Sequence, residues 1–186
     1  MTKPPPTVAI TAAAYAAAWG GGHDWDQPRF GTHWARHAIG CDNQWLTNML
    51  NRRPVLFPLS PEERVQLGGR TYFLFNLRSI FHLALIKRLQ AFLSLKDAAD
   101  AANPVVHSDY LFAGDLSPNG GDVFLVTVAL APGDPHPVYS SVVVPGAFLG
   151  EVLGTKGTSS TAPRIVFNVT PVFDQVVEGL GLAAGL

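Results

Sequence analysis

An α+β fold is predicted by three features of the chain: helical patterning up to about residue 103, a Gly-Gly turn region inside that half, and a change at Pro104 to β-rich runs. Residues 1–8 read as a Pro-rich lead, disordered or extended. TAAAYAAAW, residues 11–19, has the composition of a short helix that Gly20, Gly21 and Gly22 stop. HDWDQPR reads as a loop. From Thr32 a short helix runs through Trp34 and Ala35 until Gly40 ends it. Asp42, whose carboxylate can accept from free first-turn amides, caps a second helix that reaches Asn51. Its Leu46, Met49 and Leu50 recur at spacings of three and four, with Trp45 at the edge of that stripe, so this face packs on a core. Asn43, Gln44, Thr47 and Asn51 fall on the other side.

Two β-rich runs follow, PVLFPLS and RTYFLF, with PEERVQLGG between them as a loop, and together they predict a hairpin. Asn76 caps the longest helix, LRSIFHLALIKRLQAFL, whose apolar positions are wide enough to be largely buried. Ser94 caps a shorter one, LKDAADAA, which Asn103-Pro104 ends. After Pro104 the predicted strands are DYLFAG, DVFLVTVAL, VYSSVVVP and RIVFNVT. Short helices are expected over GAFLGEVLG and PVFDQVVEGL. The chain has no internal repeat.

Composition narrows the class. Of 186 residues 47% are apolar and 15% charged, which describes a globular chain. The formal net charge of −1 argues against bulk electrostatic binding of nucleic acid. The charge is uneven, however: Arg29, Arg36, Arg52, Arg53, Arg64, Arg70 and Arg78 crowd the first half, and only two basic residues, Lys156 and Arg164, follow Lys96. A single cysteine, Cys41, excludes an internal disulfide and fits a reducing compartment. The N-terminal stretch has some features of an export signal, but its alanine run is broken by Thr and Tyr and follows three prolines. No run of residues approaches the length of a membrane span. A soluble, cytoplasmic protein is expected.

The order short helix, glycine, short helix, hairpin, long helix is that of a winged helix-turn-helix, here followed by a small β-rich α+β domain. Such a unit lays its second helix in the major groove and its hairpin along the flanking backbone. The predicted division is a lead over 1–28, the winged unit over 29–103 and the β-rich domain over 104–186. Particular motifs carry a likeness to a known family. GCDNQWLTNML is like a Gly-apolar-polar run before a Leu and an aromatic, and Pro58 follows the second helix. GGRTYFLFNLRSIFHLALIKRL is like a Gly-x-Arg-x-Tyr wing entering a long helix, and LSLKDAADA stands at a Phe-Ser-Leu type helix start. Over residues 31–102 the chain thereby resembles the DNA-binding domain of MerR-type regulators, in particular the shortened MerR-like domains of phage-derived repressors. It departs from them in the spacing around Arg36, in Met49 where an aromatic is common, and in replacing the dimerising coiled-coil helix with the β-rich half. The resemblance implies a sequence-specific DNA-binding transcriptional regulator, not an enzyme, with Arg70 in the position of a backbone contact. The family's metal and drug sites do not carry over, because the matching cysteines are missing, and no cofactor is expected.

Asn and Gln can grip adenine through two hydrogen bonds, and arginines at a helix end can reach phosphates. The candidate DNA-binding residues are therefore Asn43, Gln44, Thr47, Asn48, Asn51, Arg52 and Arg53 from the second helix, with Arg70 from the wing. The plainer alternative is a solvated helix rich in Asn beside ordinary surface arginines. Trp34, Trp45, Phe73, Phe75, Phe81 and Leu85 are expected in the core. The expected partners are double-stranded DNA and a second copy, because two half-sites multiply affinity. The β-rich half would supply the dimer contact, an effector site or a protein partner such as RNA polymerase. Two rival readings remain: a protein-interaction module with a degenerate helix-turn-helix, favoured by the net charge, and a metal-dependent enzyme using His23, Asp24, Asp26, His33 and His37. Against the latter, His33 and His37 are four apart but lack the intervening Glu of a zinc hydrolase. GLGLAAGL has no strand–helix frame for a dinucleotide, and no catalytic residue set is apparent.

Overall fold

Local capping chemistry fixes most helix boundaries in the first half. The computed structural model describes residues 25–52, 55–106, 122–129, 139–154 and 164–181. Helix α1 (Thr32–Ile39) ends at Gly40, whose amide donates to the carbonyls of Arg36 and His37. Helix α2 (Asn43–Asn51) begins where the Asp42 carboxylate accepts the Trp45 amide at 2.7 Å. Helix α3 (Leu77–Leu89) begins where Asn76 Oδ1 accepts the Ser79 amide at 2.7 Å, and Ser94 Oγ similarly accepts from Asp97 at the start of α4 (Leu95–Val106). Each cap satisfies a donor that the helix itself leaves free.

Strand β1 (Phe30–Gly31) pairs with β3 (Arg70–Phe75), and β3 pairs with β2 (Arg64–Leu67), giving an antiparallel sheet of order β1-β3-β2. The hairpin turn is Gly68-Gly69, both at positive φ (56° and 76°), as a two-residue turn with matching twist requires. The first strand of the hairpin is thus RVQL, a correction to the expectation that PVLFPLS would form it and PEERVQLGG would be loop. A two-residue turn demands that the strand directly precede the glycines, and Pro58 has no amide to give a ladder.

Glu63 ties the hairpin to α3. It is only 1% exposed, yet both carboxylate oxygens are used: Oε2 accepts the Ser60 amide and Oε1 the Asn76 amide, each at 3.0 Å. Glu63→Ala should therefore destabilise the fold by about 1–3 kcal/mol for each amide left without an acceptor. Urea unfolding measures this, and a total loss well below 1 kcal/mol would mean that water replaces the carboxylate.

In the second half β4 (Val123–Ala129) lies between β5 (Tyr139–Pro145) and β6 (Arg164–Asn168), both antiparallel to it. Val123, Leu125, Thr127 and Ala129, alternate residues of β4, are buried. Helix α5 (Gly146–Gly154) follows β5 and α6 (Thr170–Gly179) follows β6. The described residues thus form an α+β fold with two small antiparallel sheets.

Residues from both sides of Pro104 share one core. Helix α3 is buried over most of its surface, with Ile80, Phe81, Leu83, Leu85, Ile86 and Leu89 fully buried, because α1, α4 and α6 pack around it. Phe173 of α6 meets Phe81 edge-on at 5.2 Å between ring centroids and Trp25 at 5.5 Å. Gly179 lies against α1 so closely that a Cβ there would stand 2.6 Å from the Cα of Ala38. Any other residue at 179 would push the helices apart.

Several expectations change. Trp34, expected in the core, is 52% exposed on α1. It occupies the solvent side of a helix whose Ala35, Ala38 and Ile39 face inward. Phe75, Phe81 and Leu85 are buried as expected, while Trp45 and Phe73 are half-buried against the core. Helix α4 runs through Pro104 to Val106 instead of stopping at Asn103. Proline's fixed φ is helical, and the burial of Ala101, Ala102 and Val105 holds this last turn against the lost hydrogen bond. The expected helix over 11–19 and the strand DYLFAG lie outside the described residues. No helix among the described residues is long and apolar enough to cross a membrane.

Candidate nucleic-acid interface

The two faces of α2 are sharply divided. Leu46 and Met49 are buried, and Trp45 is braced on α3: its indole N–H donates to Gln90 Oε1 at 2.8 Å, and Lys87 Nζ lies 5.1 Å from its ring centre. Asn43, Gln44, Thr47, Asn48 and Asn51 all face solvent, as does Arg52 at the helix end. This face offers amide and hydroxyl groups that can each donate and accept, on a helix anchored by its opposite side. Arg53 lies outside the described residues.

The hairpin supplies a second exposed surface. Pairing of Leu67 with Arg70 and of Val65 with Tyr72 puts these four residues on one face of the hairpin, while Phe73 on the other face packs on the core. Arg70 and Tyr72 are exposed, and so is Leu67, at 61%. Across the other face Gln66 Nε2 donates to Thr71 Oγ1 at 2.8 Å, stiffening the ribbon. Sequence reasoning singled out Arg70 but missed Leu67 and Tyr72. The signal for them is the alternation of Val65, Leu67, Arg70 and Tyr72 about the Gly-Gly turn.

A third feature lies at the α1–α2 turn. There an open depression of about 420 Å³ is lined by His33, Arg36, His37, Gly40, Cys41 and Asp42. The Cys41 thiol is pushed up to about 11, chiefly by burial; Lys87 and Arg36 oppose that rise and Asp42 adds to it. It stays protonated at neutral pH and is no ready nucleophile. Arg36 was counted among the arginines of the sequence but not among the candidate contacts.

The metal-ligand reading loses one of its members. Asp26 is engaged by Arg78 in an ion pair at 2.7 Å, with a second bond from the guanidinium at 3.2 Å. His23 and Asp24 lie outside the described residues, and among those described no three His, Cys, Asp or Glu side chains are grouped to hold a metal. Comparison of the chain with protein-family models, with characterised proteins and with solved structures gives no match.

Proposed function

We propose that the chain is a sequence-specific DNA-binding transcriptional regulator, in which α2 reads base edges in the major groove and the β2–β3 hairpin is the wing of a MerR-like winged helix-turn-helix. The observation that carries this reading is α2, with every one of its Asn, Gln and Thr side chains turned outward and its apolar stripe fixed to the core. Asn and Thr are weak helix formers in water, and all of these side chains match the donor and acceptor pattern of base edges. The exposed arginines Arg52, Arg64 and Arg70 lie on the same two elements or at their ends, where they would hold phosphates. The protein acts as a homodimer on paired half-sites. Val142 and Val166, paired in register with Val126 from either side, are exposed together with Phe148, and this apolar surface supports placing the dimer contact in the second half.

The test is the salt dependence of binding to duplex DNA. Each of Arg52, Arg53 and Arg70 should contribute one phosphate contact, so replacing one by Ala should flatten the log–log slope by about one. Unchanged slopes for all three would move the DNA surface elsewhere. The exposure of Leu67 and Tyr72 favours a second reading, in which the hairpin docks on a protein such as RNA polymerase. Retention of that partner by the Leu67→Ser chain would exclude it.

A further inference from the structure

We infer that the depression at the α1–α2 turn seats a backbone phosphate of bound nucleic acid, held by Arg36 together with the imidazoles of His33 and His37. The inference rests on the DNA-binding reading above. Positions 33, 36 and 37 are three and four residues apart on α1, which brings their side chains to one face of the helix, and all three line the same open depression. The Nε of Arg36 is shielded from solvent and meets no acceptor among the described residues. That buried Nε faces away from a ligand in the open depression, so the donors for an anionic oxygen are the terminal nitrogens of the half-buried Arg36 guanidinium that lines it.

The surroundings decide the class of ligand. Among the described residues Asp42 is the one carboxylate lining the depression, and its Oδ1 already accepts the Trp45 amide. Lys87 and Arg36 act electrostatically on Cys41 from the cationic side, and the thiol itself carries no charge at neutral pH. From α6 the neighbour of Gly40 is Gln175, which is uncharged; it donates to the Ala38 carbonyl and accepts from Arg88. The cations and imidazoles therefore outnumber the single acid. The depression is open, which suits a phosphate in a polymer better than a free ion that needs enclosing. Asn43 and Gln44 follow Asp42 directly in the chain, so a duplex strand touching them passes this depression.

The experiment uses the full chain and a labelled random-sequence duplex, with anisotropy read across a salt series. Arg36→Met should flatten the log–log salt slope by about one. The double change His33→Asn and His37→Asn, at two exposed positions where folding is not at stake, should weaken binding of the duplex severalfold. Inorganic phosphate, added at constant ionic strength, should not displace the duplex; displacement would identify a free-phosphate site and overturn the backbone assignment. If both variants keep the unmodified slope and affinity while Asn43→Ala still loses discrimination between selected and random duplex, the seat falls and the DNA reading stands. If the unmodified chain binds no duplex at all, both fall together.

Discussion

Phe173→Ala should destabilise the whole described fold by about 3–5 kcal/mol, the usual cost of emptying a buried aromatic site. That is a large share of the total stability expected of a domain, about 5–15 kcal/mol. The ring bridges Trp25 and Phe81, so its loss opens a cavity where the halves before and after Pro104 meet. The four tryptophans of the chain, Trp25 against Phe173 among them, serve as the reporter. Guanidinium unfolding of the unmodified chain should give a single transition by tryptophan fluorescence and by far-ultraviolet circular dichroism, shifted to lower denaturant in the variant. Two separate transitions, with only the later half affected, would show that the halves are independent units. By the same reasoning a fragment ending near Ala102 lacks Phe173, Val176, Val177 and Leu180 and leaves the matching apolar surface of α1 and α3 uncovered.

Replacing Asn43 or Gln44 by Ala should cost about 1–3 kcal/mol for the preferred DNA site and little for random duplex, with Thr47→Ala smaller. Both amides stand in the first turn of α2, the part of a recognition helix that meets base edges. Since all three side chains are exposed, folding stability should hardly change, and thermal unfolding of each variant checks that. The preferred site is first obtained by selecting bound fragments from a genomic library. Equal losses on selected and random DNA would mean that α2 touches backbone only.

What could be read from the sequence was what local chemistry decides. Gly40, Asp42, Asn76 and Ser94 mark helix ends because a cap is a contact within three or four residues. The strands β4, β5 and β6 were likewise legible from their β-rich runs. Strand β2 was not: RVQL is only four residues long with two alternating apolar positions, Val65 and Leu67, and its strand state is imposed by the turn beside it and by pairing with β3. Exposure of Trp34 was equally hidden, because an aromatic on a short helix carries no mark of which side meets the core. On the candidate site, the outward face of α2 followed from periodicity. The grouping of His33, Arg36 and His37 in one depression needed the fold of the turn, and Arg53 lies outside the described residues.

The bond from the Gln175 amide to the Ala38 carbonyl joins residues 137 apart in the chain. At ribosomal rates of about 5–20 residues per second, that separation corresponds to roughly 7–27 s between making the two partners. Through that interval the side of α1 on which Gly179 and Gln175 will sit has no cover from α6. The nascent chain therefore carries its helix pair before it carries the element that braces it, with apolar surface open to chaperones and to neighbouring nascent chains.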